Sequence, residues 1–421
     1  MKILTLGWEI VPFFAGGLGI VCTELTRSLV QKGIDVTFCM PYGPKDLKPS
    51  FLNHLIVAEH APALPNNVDI AMVIPMLYPY ATKESYRERY DQYGSKKGKR
   101  RATLYGPDLL EEMFHFAARV TELVNPDDFD LIHAHDWTTF PAGAVLKRLF
   151  KKPLVVHVHI TEFDKSGGMH ADPKIFKIEQ EGMLAADMVI TVSGFMRDTC
   201  TKRYLIPEDK ITVVHNAPVP MREAKPHQPA SYKTTDKIVM FAGRITLQKG
   251  PDYFVEAARY ILEKRDDVTF IIAGSGDMLP QLISRAGELG ILHKFIFTGY
   301  YTREQAEVLF EMADVFVMPS VSEPFGLVAY EALIKKTPLI ISRQSGVSEV
   351  LNHCLKVDFW DVKRMASKIL AILEYPSLDQ ELSESGYREA KQTSWEALAD
   401  KCIDIYTAVL KKHGGKEQVR P

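Results

Sequence analysis

The chain has 421 residues, 46% hydrophobic and 25% charged, with a formal net charge of −2. That length exceeds what one ordinary core accommodates and implies two or three domains. The near-neutral balance gives no global attraction to nucleic acid, and five scattered cysteines without a C-x-x-C pair (Cys22, Cys39, Cys200, Cys354, Cys402) argue against a zinc knuckle or a disulfide framework.

The chain opens on Met1–Leu6 followed by Gly7, Trp8 and Glu9, an apolar run too short for a secretory signal. No stretch reaches the roughly 18 uncharged apolar residues that cross a bilayer. A cytoplasmic protein without a transmembrane segment is expected; its oligomeric state is left open.

Apolar runs then predict strands at Ile3–Leu6, Val36–Met40, Leu131–His135, Leu154–His159, Met188–Val192 and Ile211–His215. A second series follows at Ile238–Ala242, Val268–Ala273, Phe295–Thr298, Val315–Met318 and Leu339–Ser342. Several lack polar alternation, as parallel strands buried on both faces do. Helical patterns lie between most of them; Phe254, Ala257, Ala258 and Ile261 form one apolar stripe. Strand–helix alternation predicts an α/β protein with mostly parallel sheets. The two series meet at a proline-rich polar stretch, which divides the chain into 1–217, a linker at 218–236, and 237–392. In the terminal segment 393–421, Trp395, Leu398, Ala399, Cys402, Ile403 and Tyr406 share a helical face that can return to the first domain. Residues 80–101 are tyrosine-rich and basic, a solvated insertion or a lid near the cleft.

Three turns carry the chemistry. After the first strand, Gly16, Gly17 and Gly19 open a helix. Such a turn serves close packing or an anion held by free N–H groups; its spacing is neither the dinucleotide fingerprint nor a P-loop. After Ile238–Ala242 comes Gly243-Arg244 with Lys249-Gly250. Two cations at the carboxyl end of a parallel strand can embrace a diphosphate. After Val315–Met318 comes Ser322-Glu323-Pro324-Phe325-Gly326-Leu327, with Glu331 on the following helix, so both carboxylates can face one crevice. At the other cleft edge, His133-Ala134-His135-Asp136-Trp137 and His157-Val158-His159 end adjacent strands. Alternation assigns each pair to its own shared face. With two histidines per strand and no third ligand by spacing, no metal site is expected. His133 and His157 read as core, His135 and His159 as functional.

These motifs in this order resemble the retaining glycosyltransferases of glycosyltransferase family 4, with the related glycogen and starch synthases of family 5. The stretch Thr161–Gly168 resembles a glycogen-synthase-like branch of family 4. The resemblance covers nearly the whole chain. It implies a GT-B fold, two Rossmann-like domains facing a central cleft, and metal-independent transfer of a hexose from a nucleotide sugar, with no cofactor. Carried over by position, Arg244 and Lys249 would bind the donor pyrophosphate. Glu323 would hold the sugar hydroxyls with N–H groups of Phe325, Gly326 and Leu327, and Glu331 the ribose. His159 would sit at the anomeric centre, and Gly16 and Gly17 against the phosphates. Ser275 and Tyr300 would approach the nucleotide, with His135, Asp136 and Trp137 toward the acceptor. Family 5 synthases carry a lysine where this chain has Phe14, which weakens an ADP-glucose assignment.

The function expected is transfer of a hexose, glucose above all, from UDP-glucose or ADP-glucose, with GDP-mannose a further donor, to a saccharide such as an α-glucan. A cell-envelope or lipid-linked acceptor, reached by peripheral membrane contact through the basic insertion, is the alternative. A nucleotide-sugar 2-epimerase is the reading of another class.

Overall fold

The computed structural model describes residues 1–14, 16–64, 109–219 and 236–417. The basic stretch at 80–101, residue 15 and residues 220–235 of the expected linker lie outside the described residues.

Every strand expected from the sequence is present, in two all-parallel sheets. The N-terminal sheet contains β1 (Lys2–Leu6), β2 (Asp35–Met40), β3 (His54–Val57), β4 (Leu131–His135), β5 (Leu154–Val158), β6 (Met188–Thr191) and β7 (Ile211–Val213), ordered β3-β2-β1-β4-β5-β6-β7. The C-terminal sheet contains β8 (Lys237–Ala242), β9 (Val268–Ala273), β10 (Phe295–Gly299), β11 (Val315–Met318), β12 (Leu339–Ser342) and β13 (Leu355–Val357), ordered β10-β9-β8-β11-β12-β13. All residues of β4, β5, β11 and β12 are buried, which is why these strands read as apolar runs broken only by His133, His135, His157 and Ser342. The sequence reading omits β3 and β13. Both are short edge strands that are mostly half-exposed, so neither carries a distinct apolar run.

The order of each sheet reverses between its first strand and the fourth in line, at β1/β4 and at β8/β11. Such switch points are where open α/β sheets place their ligands. Two helices begin there, Gly17–Gln31 after β1 and Leu327–Ile334 after β11. They meet across the domains: a Cβ added to Gly17 would lie 3.7 Å from Leu327 Cδ1.

Apolar burial holds each unit. Phe254, Ala257, Ala258 and Ile261 of the Pro251–Leu262 helix are fully buried in one cluster with Val239, Phe241 and Phe270. The Trp395–Glu417 helix shares a cluster with Ile3, Val21, Leu25 and Leu29 of the N-terminal unit. The Trp395 indole N–H donates to the Pro218 carbonyl at 2.7 Å, and the Tyr406 hydroxyl lies 2.8 Å from His133 Nδ1. All five cysteines are buried and free.

Candidate functional site

The C-terminal wall of the cleft is two loops locked together. The first runs from β8 through Arg244 to Lys249, whose turn ends at Gly250. Gly250 has φ +63°, and a Cβ there would stand 2.2 Å from the Pro319 carbonyl oxygen, so only glycine lets the second loop come this near. The Val321 N–H donates to Gln248 O at 2.9 Å. This approach carries the Lys249 ammonium onto the Glu323 carboxylate, where the two form an ion pair. Ser320 Oγ donates to the same oxygen, Glu323 Oε2, at 3.2 Å. Arg244, at the mouth of the loop, is exposed; its Nη2 reaches Gln248 Oε1 at 3.4 Å.

Beyond Glu323 the chain turns at Gly326 into the Leu327–Ile334 helix. The Phe325 ring is buried 6.0 Å from Tyr330 and 6.2 Å from His215. Glu331 sits one turn into the helix, half-buried. Burial pushes its carboxyl up to about 7; the Arg303 charge opposes the rise and Glu307 adds to it. Ser275 is exposed on the loop after β9, and its carbonyl accepts from the Ile245 N–H at 2.9 Å. Tyr300 is 83% exposed after β10.

The N-terminal wall differs from expectation. Register pairs His135 with His157 across β4 and β5, so the two strands present their histidines to one common face. The four rings cluster: His133 lies tilted against His135 at 4.2 Å, while His135 stacks on His157 at 5.4 Å and His157 on His159 at 4.1 Å. His135 Nδ1 lies 2.9 Å from His159 Nε2. The separation of the two pairs onto different faces is therefore corrected. So is the count of converging ligands, because His133, His135 and His157 bring ring nitrogens within 4.8 Å of one another. The rings are tilted by only 17° between His133 and His157 and 28° between His135 and His157. Burial lowers all four pKa values, to about 3 for His135 and well below the usual range for His133, His157 and His159, so the cluster is neutral at pH 7.

Asp136 is buried in a left-handed turn, φ 57°. Its Oδ1 accepts from the His159 N–H at 2.7 Å and from Ile160 at 3.4 Å, so the side chain orients the main chain that carries His159. Burial raises its pKa to about 7 against those two amides and Lys165. Trp137 is buried, with the Lys165 ammonium 5.3 Å from its ring. In the glycine turn, Gly16 N–H donates to Glu9 Oε2 at 3.3 Å, and Phe14 is exposed.

Residues the sequence reading missed join the walls. Ser322 Oγ donates to Asp164 Oδ1 at 2.7 Å, and Ser193 Oγ donates to the Pro324 carbonyl at 2.6 Å. Glu349 accepts from the amides of Gly194 and Phe195 at 2.8 and 2.6 Å and from His215 Nε2 at 3.0 Å. Thr161-x-x-Asp164 has capping-box spacing, a signal that could have marked Asp164. Nothing local marks Ser193 or Glu349, whose partners lie 131 and 155 residues away.

Residues 2–205 match the starch synthase catalytic domain, and residues 223–389 match glycosyl transferases group 1. An uncharacterized glycosyltransferase of Methanocaldococcus jannaschii is 30% identical, over 98% of this chain and 100% of its own. The glycogen synthase of Mycobacterium tuberculosis is 25% identical, over 100% of this chain and 97% of its own. Among solved structures, sucrose-phosphate synthase from Thermosynechococcus elongatus superposes with a TM-score of 0.67 at 20% identity, covering 98% of this chain and 99% of that one. Anabaena HepE in complex with UDP and glucose gives 0.69 at 15% identity, covering 97% and 100%. The chain belongs to the glycosyltransferases, and its paired parallel-sheet domains are the GT-B architecture of that class.

Proposed function

We propose that this glycosyltransferase is a family 4 enzyme of the glycogen-synthase-like branch. It transfers a hexose, glucose above all, from a nucleotide sugar to a saccharide acceptor such as an α-glucan, with retention of configuration and without a metal. It acts in the cytosol. The observation that carries the reading is the Lys249–Glu323 ion pair: it puts a cation for a diphosphate beside a carboxylate for sugar hydroxyls, on the loops following β8 and β11. Arg244 and Lys249 bind the pyrophosphate, Glu323 and the amides of Phe325, Gly326 and Leu327 hold the hexose, and Glu331 takes the ribose. Gly16 and Gly17 abut the phosphates from the opposite wall. Ser275 and Tyr300 flank the nucleotide.

The chemistry follows from charge. As the bond from the anomeric carbon to phosphate breaks, negative charge collects on the leaving diphosphate. One charge pair at 4 Å and an effective dielectric near 20 is worth roughly 4 kcal/mol, about a thousandfold in rate if the contact strengthens fully in the transition state. Neutral His159 faces the oxocarbenium-like sugar without repelling it. The acceptor hydroxyl enters on the face the diphosphate leaves and gives up its proton to it. His135, Asp136 and Trp137 lie on the acceptor side.

The glycogen synthase relative and the UDP and glucose in the HepE complex support a glucosyl donor. Phe14 stands where family 5 synthases carry a lysine, which weakens an ADP-glucose synthase assignment and favours family 4. The test is turnover with UDP-glucose, ADP-glucose and GDP-mannose, with and without EDTA, on glucan and simple-sugar acceptors. The anomeric configuration of the product is read by NMR. Product formed without any acceptor would instead establish the 2-epimerase. Transfer confined to lipid-linked acceptors, with co-sedimentation on liposomes, would establish the envelope reading.

A further inference from the structure

Glu323 belongs to the C-terminal domain, yet both of its chain neighbours are held by the N-terminal one. On one side, Ser322 Oγ donates to Asp164 Oδ1 at 2.7 Å. On the other, Ser193 Oγ donates to the Pro324 carbonyl at 2.6 Å. All four side chains Asp164, Ser193, Ser322 and Glu323 are buried. Asp164 is itself anchored to the His159 side of the cleft: its Oδ2 accepts from the Thr161 N–H at 2.9 Å and from Thr161 Oγ1 at 2.7 Å. Thr161 is two residues beyond His159. One carboxylate therefore ties the strand end bearing His159 to the loop bearing Glu323. Ser193 is equally fixed, because its Oγ also accepts from the Met196 N–H at 3.1 Å as the N-cap of the Gly194–Arg203 helix.

We propose that Asp164 and Ser193 are positioning residues that clamp Ser322 and Pro324, so that the opposite domain completes the setting of Glu323, whose carboxylate is held within its own domain by Lys249 and Ser320. The proposal rests on the reading of Glu323 as the hexose-holding residue and adds how that residue is set. Its consequence is coupling. The loop that carries the hexose-gripping carboxylate is fixed on both sides of Glu323 only when the cleft is shut, so a bound donor is held most firmly in the form that excludes water. The bond is well suited to this, since a hydroxyl donating to a buried carboxylate is a strong contact when dry and is exchanged for bonds to water once the domains part.

The test uses the full-length protein with Ser322→Ala, Asp164→Asn and the double variant. Hydrogen exchange is followed on the peptides spanning 160–168 and 320–327, together with melting temperature, UDP affinity and, on the best donor of the panel, kcat and KM. Each single variant is expected to speed exchange in both peptides about tenfold or more and to lower kcat about ten- to hundredfold, the scale of one charge-assisted bond. UDP affinity stays within about twofold, since UDP carries no hexose. The double variant loses no more than Asp164→Asn alone, because Ser322→Ala removes the Ser322–Asp164 bond that the Asp164 change already weakens, while Asp164→Asn also disturbs the two Thr161 contacts. The clamp is overturned if Ser322→Ala alters exchange in neither peptide, or if the single effects multiply in the double variant. Glu323→Ala separates the two ideas: if it is silent while Ser322→Ala loosens both peptides, the sugar-holding reading fails and the clamp stands. If it abolishes transfer while Ser322→Ala leaves both peptides as in the wild type, the reading stands and the clamp fails.

Discussion

Lys249 and Glu323 form an ion pair in the cleft, with side chains 18% and 7% exposed. The pair spans 74 residues of sequence and joins the loops that follow β8 and β11. Under the proposed reading, a diphosphate reaching Lys249 draws the ammonium toward phosphate and leaves Glu323 free for the hexose.

Lys249→Ala is expected to lower kcat by about a thousandfold, from the roughly 4 kcal/mol of one charge contact, and Glu323→Ala by about a hundredfold or more, from its charge-assisted hydrogen bonds to the sugar hydroxyls. Because each leaves its partner charge buried and unpaired, both also lower stability, by about 3 kcal/mol. Steady-state kinetics and urea unfolding check the two effects. Wild-type turnover in either variant would remove the site assignment.

Glu331 gives a pH dependence. With its carboxyl near 7, it is ionised above that pH and protonated below, so donor affinity is expected to rise between about pH 6 and pH 8. Stability runs the other way. The folded state holds this proton up to about pH 7 while the unfolded chain releases it near pH 4.3, so the group's contribution to stability falls as pH rises through that window. Glu331→Gln should flatten the affinity profile and raise the melting temperature at pH 8 relative to wild type. Calorimetric titration and thermal melts at each pH decide it.

The stacked histidines set the acid limit. Their folded pKa values lie below the unfolded value of about 6.5, so below that pH the unfolded chain binds more protons and stability falls as pH drops. Among the described residues, neither ring nitrogen of His157 has a hydrogen-bond partner. His157→Leu, of similar volume, is expected to melt at or above the wild-type temperature at pH 7 and to lose less between pH 7 and pH 5. An unchanged pH slope would show that His157 does not contribute to the acid loss.

Gly250→Ala tests the approach of the two loops. The substitution forces a left-handed alanine and a Cβ 2.2 Å from the Pro319 carbonyl, expected to cost about 3 kcal/mol and to part Lys249 from Glu323. Unfolding by urea and turnover should fall together; a stable, active variant would show that the loops do not need this contact.

The sequence by itself determined the central strands, the two-domain α/β plan, the loops on which Arg244, Lys249 and Glu323 sit, and the helix that carries Glu331. Those features are local: a strand buried on both faces is a continuous apolar run, and a turn after it exposes its residues at the strand's carboxyl end. Edge strands β3 and β13 escaped because half-exposed residues leave no such run. Only the tertiary structure decided that four histidines share one face, since the alignment of β4 with β5 is set by sheet packing and not by either strand. It alone decided that Asp136 turns onto the backbone of His159, and that Asp164, Ser193 and Glu349 reach across the domains. Hydrogen bonds between residues more than a hundred positions apart depend on how two independently patterned units dock, and no short window of sequence carries that information.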